Sequence, residues 1–262
     1  MKALVTGASR GIGRAIAEAL LASGVEVTGT SRHPEAIPEA DRLQGIRWLP
    51  LELHSEQSIV ACAAAAGEVD VLINNAGGSQ IAPLEELPLE RMRWLFEMNL
   101  FGTVRMTQLI LPGMRERRAG RVITIASFAA VTTVPFISSY AGSKAAVVAI
   151  YRGLREEVAP WGIKVCVVAP FDVHTTIPLD IAYRETSPYL AALLRVKARR
   201  DHTIATGPEP SVIAAAVMRL LRAPRPRFFT PAGRNARFTA FLVRHLPART
   251  VEASVRRRFD LR

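Results

Sequence analysis

The chain has 262 residues, 49% of them hydrophobic and 22% charged, with a formal net charge of +11. That length suits one α/β domain with a large buried core, and the mix of apolar and charged residues excludes wholesale disorder. No apolar run approaches the roughly 20 residues that span a bilayer, and two distant cysteines, Cys62 and Cys166, read as buried thiols of a cytoplasmic protein.

The first strand is expected at Ala3–Thr6, directly at the start, so no signal peptide is expected. Gly7, Ser9, Arg10, Gly11, Ile12 and Gly13 follow it and lead into a helix over Gly11–Ser23. Glycines at this junction allow a tight turn and close backbone approach to a pyrophosphate. The helix N-terminus behind them offers unpaired N–H groups and a positive dipole end. A second strand, Val25–Thr30, is followed by Arg32. An acid at that strand end would suit the ribose hydroxyl of NAD, whereas an arginine suits the 2′-phosphate of NADP(H). Arg10 adds a second basic group, so NADP(H) is the expected cofactor.

Ile46–Leu51 reads as the third strand, with Glu52 and Leu53 beyond it, and Ser55–Ala66 as a helix. Val69–Asn74 is a fourth strand, followed by Asn75, Ala76 and Gly77. A long helix is expected over Glu90–Arg117 and a strand over Arg121–Ala126, with Ser127 at its end. Ser138–Ala159 reads as another helix, stopped by Pro160, and Ile163–Ala169 as a sixth strand. A helix over Glu209–Leu221 and a strand over Arg227–Thr230 complete the alternation. The strands are apolar on successive positions, as expected when both sheet faces are covered. Alternating strands and helices imply an α/β, doubly wound, parallel seven-stranded Rossmann sheet with helices on both faces. No linker or repeat marks a second domain.

Two stretches fall outside the alternation. Residues 175–206 mix polar and apolar side chains at the carboxyl end of a strand, where ligands bind in such sheets, and read as a substrate-binding flap. Its Ile177, Leu179, Ile181, Leu190 and Leu193 suit a lipophilic substrate or simply pack the flap down. Residues 233–262 form a basic helical extension. From Arg219 to Arg262, 12 arginines face only Glu252 and Asp260, a net +10 that leaves about +1 for the rest. Phe238, Phe241, Leu242 and Leu246 make one helical stripe, and Val251, Val255 and Phe259 a second. Three readings of this tail stay open: a solvated helix pair, a peripheral membrane contact, and steering of an acidic substrate. No recognition motif accompanies the charge, so no nucleic-acid partner is expected. The five histidines do not cluster and no metal is expected.

Taken together, Thr6-Gly7-Ala8-Ser9-Arg10-Gly11-Ile12-Gly13, Asn74-Asn75-Ala76-Gly77, Asn99, Ser127 and Tyr140-Ala141-Gly142-Ser143-Lys144 resemble the short-chain dehydrogenase/reductase family over about residues 1–232. In its flap and tail the chain resembles the branch containing hydroxysteroid and retinol dehydrogenases. The resemblance implies nicotinamide chemistry on a small-molecule carbonyl or alcohol, and a homodimer or homotetramer. It implies catalytic roles for Ser127, Tyr140 and Lys144, with Lys144 also holding the nicotinamide ribose and Asn99 holding a helix distortion and a water. By the same resemblance Asn75, Ala76 and Gly77 meet the cofactor. Pro170, Val173 and Thr175 stand where the nicotinamide carboxamide binds, and Glu52 where an aspartate touches adenine. Phe171 departs from the family's glycine, which implies a reshaped loop or an aromatic wall.

The chemistry also follows from the residues. Tyr140 and Lys144 are four apart and share a helix face. A nearby ammonium favours the phenolate and tunes a hydroxyl whose ordinary pKa is near ~10. Such a group can exchange a proton with a carbonyl oxygen, while Ser127 donates to that oxygen. The leading expectation is a carbonyl reductase. A 3-oxoacyl-thioester reductase and a non-catalytic NADP(H)-binding regulator with a partner-binding tail remain open.

Overall fold

A computed structural model describes residues 1–132 and 134–261. Arg262, the last arginine of the basic extension, lies outside the described residues. The sheet runs through β1 (Lys2–Val5), β2 (Glu26–Ser31), β3 (Ile46–Pro50), β4 (Val71–Asn74), β6 (Gly120–Ile125), β7 (Ile163–Phe171) and β9 (Phe229–Gly233). Its seven strands are ordered β3-β2-β1-β4-β6-β7-β9, and every pairing is parallel. The last strand lies two residues later than its apolar run suggests, because Phe229 rather than Arg227 is the first residue to pair with β7.

Strand residues alternate between faces with period two. Val5, Val27, Ile73, Ile123 and Val168 point to one side, where they meet Ile16 and Leu20 of α1 (Gly11–Leu21) and Ile213 and Val217 of α7 (Ser211–Arg222). Leu4, Leu72, Val122, Val165 and Val167 point to the other. There they meet Ile59 of α2 (Glu56–Ala66), Met106 and Ile110 of α4 (Gly102–Glu116), and Val147 and Tyr151 of α5 (Ser138–Val158). The chain leaves β1 in one direction toward β3 and returns to β4 on the other side. That reversal opens a crevice at the carboxyl ends of β1 and β4.

The helix expected over residues 90–117 is interrupted. It divides into α3 (Leu89–Phe96), a π-helical turn over Glu97–Phe101, and α4. The flap is more regular than its mixed composition suggests. It holds a short strand, β8 (Leu179–Ile181), which pairs in parallel with β5 (Ser79–Ile81), and α6 (Leu190–Ala205). Asp180 of β8 receives hydrogen bonds from Gln80 Nε2 (2.8 Å) and Arg91, and Ser139 Oγ donates to Gln80 Oε1 (2.7 Å), which ties the flap to α5.

The basic extension forms α8 (Ala236–His245) and α9 (Ala248–Arg258). The first stripe splits. Leu242 and Leu246 line the central cavity, while Phe238 and Phe241 stay 64% and 58% exposed. Val251, Val255 and Phe259 all face that cavity. No described helix is long and apolar enough to cross a membrane.

Candidate active site

Gly7 and Gly11 adopt φ of +67° and +54°, the left-handed region that favours glycine. At Gly13 a Cβ would stand 2.1 Å from the Gly7 carbonyl oxygen, so the helix packs on the turn only without a side chain. The turn is lashed to its neighbours. Gly7 N donates to Thr30 Oγ1 (3.1 Å), and Asn75 Nδ2 donates to the Thr6 and Gly7 carbonyls (2.9 and 3.1 Å). Thr6 Oγ1 accepts from the Asn75 and Ala76 amides at 2.9 and 3.0 Å. Asn74 plays a different part. Its Nδ2 is buried and donates to Thr107 Oγ1 (2.9 Å) and Tyr151 Oη (3.1 Å), bracing β4 against α4 and α5.

This turn opens one end of a cavity of about 1000 Å³. Ser9, Arg10 and Ile12 line it beside the glycines, with Arg32, Glu52 and Leu53 along the neighbouring strand ends and Ala76 and Gly77 across from them. No side chain caps the N-terminus of α1, and its first turn carries no acid. Arg10 and Arg32 are exposed and make no ion pair among the described residues. A positive helix end, a glycine cradle and two unpaired arginines are donors suited to the phosphates of a dinucleotide.

The reacting end holds the other motif residues. Ser127 caps a short 3₁₀ turn (Phe128–Ala130), its Oγ accepting from the Ala129 amide at 3.1 Å. Tyr140 lies in the first turn of α5 and shares a side-chain hydrogen bond with Ser127. Lys144, one turn on, is buried, and its Nζ donates to the Ile125 carbonyl at 3.2 Å. Burial holds the Lys144 ammonium down to about 8. Burial also raises the Tyr140 hydroxyl above its ordinary value, against which the Ser127 hydrogen bond and the charge of Arg200 act. Arg200 of α6, a flap residue, is thus a second cation near Tyr140, beside the Lys144 one turn further along α5.

Asn99 sits in the π-helical turn, 1% exposed and behind the cavity wall. Its Oδ1 accepts from the Gly78 amide (2.9 Å), and its Nδ2 donates to the Gly78 carbonyl (3.0 Å) and Ser143 Oγ (3.0 Å). The wider π turn brings this side chain across to β5 and α5. A Cβ on Gly77 would lie 2.7 Å from Asn99 Oδ1 and 3.4 Å from Lys144 Nζ, which places both groups around one point.

Pro170 at the end of β7, and Val173 and Thr175 beyond it, line the cavity. Phe171 is reached in extended backbone, and the left-handed residue is Asp172, with φ +51°. The Phe171 ring packs 4.5 Å from Phe128, and the two make an aromatic wall of the cavity. Arg258 of α9 closes over it, its guanidinium 5.6 Å from the Phe171 ring and 2.7 Å from Asp172 Oδ2. This latch carried no signal in the sequence, because Arg258 and Asp172 are 86 residues apart. His174 lies off the cavity, 3.5 Å from Glu209. Among the described residues no group of three or more His, Cys, Asp or Glu could hold a metal ion.

The family model described as short chain dehydrogenase matches residues 1–184. A 3-ketodihydrosphingosine reductase of Bacteroides thetaiotaomicron is 32% identical over 238 residues, covering 88% of this chain and 87% of that protein. A short-chain dehydrogenase structure from Streptomyces avermitilis superposes with a TM-score of 0.82 at 34% identity, over 99% of this chain and 96% of that one. A Burkholderia cenocepacia short chain dehydrogenase in complex with NADP superposes at 0.77, with 25% identity over 97% and 96% of the two chains.

Proposed function

Because the chain belongs to the short-chain dehydrogenase/reductase family, we propose that it is an NADP(H)-dependent carbonyl reductase, reversible as an alcohol dehydrogenase, acting on a lipophilic ketone or aldehyde. The observation that carries this reading is the hydrogen-bonded Ser127–Tyr140 pair in the same cavity as the glycine turn and Lys144. Gly7, Ser9, Gly11, Ile12 and Gly13 would hold the cofactor's pyrophosphate, and Arg10 and Arg32 its 2′-phosphate. Glu52 and Leu53 would border the adenine, Asn75, Ala76 and Gly77 the riboses, and Pro170, Val173 and Thr175 the nicotinamide. When bound, the cofactor supplies the hydride that reduces the carbonyl carbon.

Ser127 Oγ donates to the carbonyl oxygen as negative charge builds there. Tyr140 Oη hands its proton to the same oxygen. Lys144 orients the cofactor ribose. Asn99 holds the π turn and Gly78, and so keeps the backbone beside Lys144 in place. Phe171, Leu242, Leu246, Val251 and Val255 exclude water and receive an apolar chain.

We read residues 1–262 as one Rossmann-type unit forming a homodimer or homotetramer, which light scattering would measure. The buried free thiols Cys62 and Cys166 suit the cytoplasm. We also propose that α8 makes a peripheral membrane contact, supported by exposed Phe238 and Phe241 beside exposed Arg237 and Arg244.

The test is NADPH consumption against ketones, steroids, retinal and acyl thioesters, with NADH in parallel. Tyr140→Phe is expected to lose roughly 10²- to 10⁴-fold in turnover, the range for removing a proton donor, while still binding NADPH. Full activity in Tyr140→Phe, or preference for NADH, would overturn the respective half of the proposal. Thioester turnover without ketone turnover would select the acyl-thioester reading.

A further inference from the structure

Arg200 is the charged group whose position the reductase chemistry leaves unexplained. It projects from α6 into the cavity that holds Ser127 and Tyr140, and its side chain is only 19% exposed. A guanidinium carries five N–H donors in a rigid fork, and a buried one calls for an acceptor. The acceptors given to Arg200 are poor. Nη2 reaches Ser79 Oγ at 3.4 Å, and Nη1 stands 3.6 Å from Asp201 Oδ1. Asp201 is already engaged, since Lys197 Nζ donates to its Oδ2 at 2.6 Å.

The other charges at this end of the cavity are accounted for. Arg258 pairs with Asp172, and Lys144 donates to the Ile125 carbonyl. Arg200 acts on Tyr140 electrostatically, and burial pulls its own pKa below the ordinary arginine value. An anion placed between Arg200 and the reacting oxygen would complete the fork. The walls beyond are apolar, built from Val196 and Ile204 of the same helix and Leu242, Val243, Leu246 and Val255 of the tail.

We propose that Arg200 is a specificity residue that binds the carboxylate of an oxo acid, so that the substrate is an amphiphile with its anionic group close to the carbonyl and a hydrocarbon chain along α8 and α9. The proposal rests on the reductase reading of this site and names its substrate class. It sets the chain apart from an enzyme for ketones bearing an ammonium beside the carbonyl, which Arg200 would repel.

The experiment compares kcat/KM for an α-oxo and a γ-oxo dodecanoate with that for their methyl esters, in wild type, Arg200→Gln and Arg200→Lys. Wild type is expected to prefer the acid. Arg200→Gln should cut the acid-to-ester ratio by roughly 10- to 100-fold, as for loss of a charge-assisted hydrogen bond, and Arg200→Lys should keep part of it. An unchanged ratio in Arg200→Gln, or a wild type that prefers the esters for both chains, would overturn the proposal. A second readout does not need turnover: calorimetric binding of dodecanoate to the complex with NADP⁺. Binding that weakens at least tenfold in Arg200→Gln but not in Arg200→Lys supports the subsite even if no ketone is reduced, in which case only the reductase reading falls. Equal binding by wild type and Arg200→Gln rejects the subsite. NADPH affinity of each variant reports whether it has folded.

Discussion

At Lys144, a cation four residues from Tyr140 is buried against a backbone carbonyl, and removal from water moves it from 10.5 to about 8. The unfolded chain keeps that proton up to about 10.5. Between about pH 8 and 10.5 the unfolded state therefore binds more protons at this group than the folded state does. Its contribution to stability rises with pH across that window, and is lost as pH falls through about 8. The buried Cys62 and Cys166 thiols, both pushed up to about 11, act in the opposite direction above pH 9. The clean readout is thus a difference. The stability of wild type relative to Lys144→Met should increase steadily between about pH 8 and 10.5 in urea titrations, and a flat difference would show that burial does not pull the Lys144 pKa down. The motif spacing sets Tyr140 and Lys144 one turn apart in α5, but it carries no trace of a second arginine from the flap. Arg200 is brought into the same cavity by a helix 60 residues further along the chain.

Among the elements, legibility followed how strongly each segment's burial pattern was written into its own side chains. The sheet strands are buried on both faces and read as apolar runs, so seven strands and their helices could be placed in order. The π turn at Glu97–Phe101 leaves no mark in the periodicity, because a helix with one residue too many in a turn has nearly the same pattern as a regular one, and only the family resemblance pointed to a distortion at Asn99. It is fixed by Asn99 bonding to Gly78, a contact across 21 residues. The α6 helix was hidden for another reason: only Leu193 and Val196 of its 16 residues are buried, so no stripe stands out. The α8 helix shows the converse. Its apolar residues read as one stripe, yet Leu242 turns inward and Leu246, just past the helix, borders the cavity while 40% exposed, whereas Phe238 and Phe241 face solvent. Aromatic side chains exposed beside arginines suit the boundary between headgroups and acyl chains. The chain is expected to float with vesicles containing phosphatidylserine at low salt. Phe238→Ser with Phe241→Ser should weaken that binding several-fold, and vesicles of neutral lipid should bind weakly. Binding that ignores both lipid charge and these two residues would sink the membrane proposal.

Across the whole molecule, the site gathers residues from Gly7 to Phe259, so no segment of the chain carries it alone. The dinucleotide half is made by β1 and the strands that pair with it on either side, β2 and β4. The substrate half waits on contacts made across the sheet's far side: β5 with β8, and the Arg258 latch on Asp172 and Phe171. Contacts between distant parts of a chain form late, because each must first close a long loop. The two halves of the site should then be acquired at different times. In refolding from denaturant, NADPH binding is expected to return first and turnover only afterwards, with a lag that lengthens in Arg258→Met. Coincident recovery in both proteins would mean that the tail docks as part of the initial collapse. In the interval between the two events the protein would hold reducing equivalents in a cleft whose outer wall is still missing, a short-lived species open to water and to any small carbonyl compound in reach.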